Sequence, residues 1–102
     1  MNTDVETVSV YLKLLSDGIR LDMLNRLQER EHCVCDFVDL YAISQPAISR
    51  HLKLLRQAHV ILERRDRQWI HFRLNPNHPH YALLVTILAT LDRPPLTEGK
   101  IC

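Results

Sequence analysis

SQPAISRHLKLLRQAHVILERRDRQWIHFRL, residues 44–74, decides the fold. At 100° per residue, Ile48, Leu52 and Leu55 share one helical face, and Pro46, Arg50, Lys53 and Gln57 point the opposite way. Ser44 is a good cap for that helix, and Pro46 is tolerated in its first turn, where a missing N–H costs nothing. Near Ala58 the period changes from 3.6 to 2. VILERR and WIHFRL are short β-type runs joined by Asp66-Arg67-Gln68, and in the second run Ile70, Phe72 and Leu74 alternate with Trp69, His71 and Arg73. A lone hairpin of this kind is marginal, so it must lean on helices.

Reading outward, Val5, Val8, Leu12 and Leu15 recur at helical spacing. Ser16-Asp17-Gly18 breaks that helix, and Ser16 or Asp17 caps the next, which carries Ile19, Met23, Leu24 and Leu27 on one side. Cys33 and Cys35 open a short helical segment containing Phe37, Val38 and Leu40, and Tyr41-Ala42-Ile43 turns the chain into the Ser44 helix. After Asn75-Pro76-Asn77 a last helix is expected from about Pro79 to Leu91. Its apolar residues occupy more than one stripe, so a second copy of the chain is expected to cover what the core does not, with the first helix joining that contact. The fold class that follows is mainly α with a small β-hairpin, a homodimeric winged helix-turn-helix of order α-α-α-α-β-β-α. Residues 1–92 form one DNA-binding and dimerisation domain, and residues 93–102 a mobile tail.

The composition, 46% hydrophobic and 25% charged over 102 residues, suits one globular domain. No apolar run approaches the roughly 20 residues needed to cross a bilayer, and the acidic N-terminus lacks a signal-peptide pattern, so a cytoplasmic protein is expected. The net charge of +1 conceals a division. Residues 1–44 hold four basic and eight acidic side chains, whereas residues 45–75 hold seven basic and two acidic. That basic third coincides with the helix and hairpin of a groove-reading module, which points to operator double-stranded DNA as partner. Ser44, Gln45, Ala47 and Ser49 are small or amide-bearing and let the helix enter the major groove, where Gln45 can address adenine and Arg50 guanine or a phosphate. Lys53 and Arg56 suit phosphates, and Arg64, Arg65 and Arg67 at the hairpin tip suit the backbone or minor groove. His51, near the apolar edge, reads as a packing residue. No nucleophile triad, phosphate loop, paired catalytic carboxylates or C-x-x-C motif argues for an enzyme.

The hairpin and reading helix, preceded by LSDGIRLDML and HCVCDF, resemble the ArsR/SmtB family of metal-responsive repressors, closest to its arsenical-resistance branch. The resemblance covers roughly residues 8–75. It implies a dimer that binds an operator overlapping its own promoter and releases it when a metal or metalloid binds. The branch's C-V-C-D motif is matched by Cys33, Val34, Cys35 and Asp36; some members place a further cysteine one residue after the Asp, where Val38 stands here.

The chemistry of the thiol pair can be read separately. As(III) and Sb(III) are soft and prefer thiolates, which fits the inducer that the resemblance implies, As(III) or Sb(III), with no cofactor expected for DNA binding. A helix N-terminus favours the thiolate. On a regular helix residues i and i+2 lie about 200° apart, so chelation is expected to unwind the first turn of the short helix and shift the reading helix behind it. The third ligand is open between Cys102, a small cellular thiol and water. His32 and Asp36 can adapt the pair to Zn(II), Cd(II) or Pb(II), although His32 reads first as an exposed capping residue. His78, His80 and Asp92 show no matching spacing for a second metal site. A strained Cys33–Cys35 disulfide, a sulfenic acid or an intermolecular bond would make a redox switch instead.

Overall fold

The computed structural model describes residues 4–94, so Cys102 and nearly all of the expected tail lie outside the described residues. Asp4 opens α1 (Val5–Leu15) by accepting the Thr7 N–H at 2.8 Å. Tyr11 and Leu15 are the α1 residues that enter the core, while Val5 is 86% and Leu12 45% exposed. The apolar stripe expected to define this helix therefore faces largely outward. Asp17 caps α2 (Gly18–Glu29) through the N–H groups of Ile19 and Arg20, and Ser16 ends α1. Met23, Leu24 and Leu27 of α2 are buried.

A two-residue strand, β1 (His32–Cys33), precedes α3 (Val34–Tyr41). Ala42 ends α3 in the left-handed region at φ 53°, turning the chain sharply into α4 (Gln45–Gln57). Ser44 caps α4 by accepting the Ala47 N–H at 3.3 Å, with Pro46 in the first turn. The wing follows as β2 (Ile61–Asp66) and β3 (Trp69–Leu74), with Arg67 at φ 58° in the connecting turn. The sheet is not the two-stranded hairpin expected. Its order is β1-β3-β2, all antiparallel, because the segment before α3 supplies a third strand on the free edge of β3. Two residues of pairing carry no alternation that sequence periodicity can detect.

The last helix, α5 (Tyr81–Leu88), is shorter than expected, with turn residues on either side. Leu84 and Leu88 are buried, whereas Leu83 and Leu91 are each 38% exposed. Among the described residues no helix is long and apolar enough to cross a membrane.

Phe37 of α3 is fully buried and packs between the rings of His32 and Tyr41, 5.4 and 6.0 Å between centroids. The Tyr41 hydroxyl donates to Asp22 of α2, which also accepts from Arg26 Nε at 2.9 Å, so the last turn of α3 is anchored to α2. Burial together with the Asp22 hydrogen bond pushes the Tyr41 phenol well above its ordinary value. Arg20 of α2 donates to the Leu14 carbonyl and meets His51 Nδ1 of α4 at 3.2 Å, so His51 is half-buried and engaged within the fold.

His78 packs on Tyr11, its ring centroid 5.2 Å away, and bridges the end of α4 to the start of α5. Its Nδ1 accepts the His80 N–H at 3.0 Å and its Nε2 lies 3.1 Å from the Ala58 carbonyl. One ring nitrogen must accept and the other donate, which is the neutral tautomer. Burial lowers the His78 pKa, and the nearby His59 and His80 act in the same direction. Burial likewise pushes the Tyr11 hydroxyl up to about 12.

Two outcomes are expected. Phe37→Ala should lower unfolding stability by about 3–5 kcal/mol, measured by urea denaturation. Because the folded pKa of His78 is depressed, its contribution is present above the unfolded value and is lost as pH falls through the folded one. Stability should therefore decline as pH falls from neutral into the acidic range, and His78→Gln should flatten that decline in thermal melts.

Candidate metalloid site and nucleic-acid interface

Cys33 and Cys35 stand on either side of the joint between β1 and α3. Cys33 is the N-cap of α3, with extended backbone at φ −97° and ψ 173°, and Cys35 lies in the first helical turn. An N-cap side chain leans over the first turn of its helix, so the two side chains converge. Their Cα atoms are 5.5 Å apart and the sulfurs meet, paired as a disulfide. This corrects the expectation that the sulfurs point about 200° apart and need the helix unwound: that angle applies only when both residues are helical.

Asp36 organises the joint. Its Oδ2 accepts the Cys33 N–H at 3.2 Å and lies 3.0 Å from His32 Nδ1. His32 is 4% exposed, so it is a buried residue, not the exposed capping residue expected. Burial lowers its pKa, against the opposing influence of the Asp36 carboxylate. Ligand atoms of Cys33, Cys35 and Asp36 all lie within 4.8 Å of one another. Both Asp36 bonds fall on Oδ2. Two sulfurs with an engaged carboxylate suit a soft, thiophilic atom better than a hard one.

The pair is also joined to the wing. Across the β1–β3 ladder His32 faces Phe72 and Cys33 faces His71. Arg64 in the middle of β2 donates to Glu31, just before β1, at 2.7 Å, and its guanidinium holds the Glu31 carboxyl below the usual range. Arg64 was expected at the hairpin tip, but it sits across from His71 and is tied to Glu31.

The residues expected to face DNA belong to α4 and the wing. Ser44, Gln45, Ser49, Arg50 and Lys53 are exposed on α4, while Ala47 is partly covered. Arg65 and Arg67 are exposed at the wing. Among the described residues no ion pair engages Arg50, Lys53, Arg65 or Arg67, whereas Arg56 lies 3.8 Å from Glu63. These four cations are thus exposed on α4 and the wing.

Sequence reading missed the surroundings of the thiols. Val38, Gln45, Gln68, Trp69 and Ile70 line a cavity of about 360 Å³ that also contacts Cys33 and Cys35. The available signal was Trp69, the chain's lone tryptophan, placed by alternation on the outward side of a basic hairpin.

Similarity to known proteins agrees with this geometry. A family model described as "Bacterial regulatory protein, arsR family" matches residues 17–61. The chain is 45% identical over 71 residues to the arsenical resistance operon repressor of Escherichia coli K12, covering 69% of this chain and 61% of that protein. The chain spans 61%, 62% and 54% of the first three curated relatives that it matches. Among solved structures, the transcriptional repressor BigR from Xylella fastidiosa superposes with a TM-score of 0.73 at 28% identity, over 83% of each chain. The arsenical resistance operon repressor of Staphylococcus aureus is 34% identical over 85 residues, 83% of this chain and 77% of that protein. With a winged helix-turn-helix built from these residues and relatives matched at that length, the chain belongs to the ArsR family of bacterial regulatory proteins.

Proposed function

We propose that the protein is a transcriptional repressor that binds operator DNA as a homodimer and is released when As(III) or Sb(III) is held by Cys33 and Cys35. The observation that carries this reading is the meeting of the two sulfurs at a joint that touches both DNA-facing elements. The arsenical-resistance names of several relatives support it. In this reading Gln45, Ser49 and Arg50 address base edges, and Ser44 and Ala47 allow the backbone to approach. Lys53, Arg65 and Arg67 hold phosphates. The outward residues Val5 and Leu12 of α1, with Leu83 of α5 and Leu91 after it, supply the apolar surface for a second copy.

The coupling needs no helix unwinding. An atom seated between the sulfurs acts on two supports at once. Through Cys33 it acts on β1 and the paired wing strand β3. Through Cys35 it acts on the first turn of α3, whose far end turns directly into α4. The third position on the metalloid is open to Cys102, a small cellular thiol or water.

A second reading rests on the same sulfur contact. Oxidation of the reduced pair to the disulfide by a peroxide removes two electrons and two protons, and the peroxide leaves as two waters. Titrating the reduced protein with arsenite and, separately, with hydrogen peroxide while following DNA release distinguishes the two.

The Cys33→Ser, Cys35→Ser double variant should bind operator with wild-type affinity and show no arsenite-induced release by fluorescence anisotropy. In the wild type, arsenite should weaken DNA binding roughly 5- to 150-fold, the range of a coupling of about 1–3 kcal/mol. Release from the double variant would end the assignment. Lys53→Ala should weaken binding by a similar factor on all DNA sequences and reduce the slope of log K against log salt by about 1. Arg50→Ala should also relax sequence preference, read by competition with mutated operators.

A further inference from the structure

The turn between the wing and α5 ties three helices together through one imidazole. Asn75, just past β3, donates its backbone N–H to the Val60 carbonyl at 3.1 Å and Nδ2 to the His59 carbonyl at 2.9 Å, which fastens the turn to the chain leaving α4. The His78 N–H donates to the Asn75 carbonyl at 3.2 Å. The His78 ring then reaches three ways. Nδ1 faces the N–H of His80, the N-cap of α5; Nε2 faces the carbonyl of Ala58, the C-cap of α4; and the ring lies on Tyr11 of α1. The Tyr11 hydroxyl closes the circuit by donating to the His80 carbonyl at 3.4 Å. A backbone N–H can only donate, so Nδ1 must accept and the proton must sit on Nε2.

This circuit holds only while the ring is neutral. A proton on Nδ1 sets it against the His80 N–H, and a donor facing a donor is no bond. The titratable groups around the ring are Tyr11 from α1, His59 from the turn after α4 and His80 from its own turn. None is a carboxylate, and among the described residues no ion pair engages His78 to offset a positive charge. The residue is half-buried, so solvent protons reach it.

We propose that His78 is an acid-sensing latch whose protonation frees the start of α5 from the end of α4 and thereby weakens operator binding. The inference rests on the operator-binding dimer proposed above and uses neither thiol. Val5 and Leu12 of α1 and Leu83 of α5 face outward where the second copy is proposed to pack, and α4 is the helix proposed to read DNA. In a two-fold dimer each reading helix meets its own half-site, so their spacing is set through the joint between α4 and the α1–α5 pair. Symmetry applies a shift at that joint twice. Burial holds the His78 pKa below its ordinary value, against the Ala58 hydrogen bond and with His80 and His59 acting in the same direction as burial. The neutral form is the DNA-binding one, so affinity is full at neutral pH and falls as pH drops through the folded pKa. By reciprocity, operator binding lowers the His78 pKa further.

The test follows binding of the reduced full chain to a rhodamine-labelled duplex of its own promoter region, by anisotropy at fixed ionic strength. His78→Asn places Oδ1 where Nδ1 accepts, His78→Gln reaches toward Ala58, and neither titrates. Between about pH 7 and about pH 5.5 the wild type should lose about 10-fold more affinity than either variant, within the limit of about 10-fold per pH unit for each linked proton. Far-UV circular dichroism should show the wild-type helices intact across that window. On the wild type alone, NMR titration of the His78 ring should give a lower pKa with the duplex than without it. Parallel affinity curves in wild type and both variants, an equal His78 pKa in both states, or helix loss that tracks the fall in affinity overturns the latch and leaves the repressor reading standing. Failure of the wild type to bind the duplex at neutral pH overturns the operator reading and this inference together.

Discussion

The short antiparallel ladder between β1 and β3 ties the thiol pair to the wing. Cys33 faces His71 across it, so one sulfur of the pair is carried by the sheet that forms the wing. The other sulfur sits in the first turn of α3. Without the ladder Cys33 would be a flexible residue before a helix, and nothing would oblige the wing to register what happens at the thiols. With it, backbone hydrogen bonds fix the position of Cys33 relative to β3.

Asp36 and Asp22 divide the restraint of α3 between them. Asp36 binds the Cys33 N–H and His32 at the start of the helix, and Asp22 takes the Tyr41 hydroxyl at its end. Phe37 fills the space between these ties with a fully buried ring. Both ends of an eight-residue helix are thereby held by carboxylates that have a second partner, His32 in one case and Arg26 in the other.

Charge is distributed to match. The acidic excess of residues 1–44 is partly engaged internally, through Asp17, Asp22, Glu31 and Asp36. Of the basic residues in the reading helix and wing, Arg64 and Arg56 are matched by Glu31 and Glu63, and the others considered for DNA contact remain exposed at the surface. The resulting positive field lies on α4 and the wing.

The helices, their caps and the basic hairpin were legible in the sequence, because each is a local matter. Asp17 and Ser44 cap where short polar side chains should, Ile48, Leu52 and Leu55 recur at the helical period, and Ile70, Phe72 and Leu74 at the strand period. The vicinal thiols were legible as a pair, but their convergence was not. It depends on Cys33 being extended, and Cys33 is extended because a strand nearly forty residues further along the chain offers it a free edge. The burial of His32, the pairing of Arg64 with Glu31 and the cavity beneath Trp69 have the same origin. Sequence by itself determined which segments are helix, turn and wing, since their periodicity and capping act over a few residues. Tertiary structure alone decided where the sulfurs point and what surrounds them, because those follow from contacts between segments whose separation leaves no periodic trace.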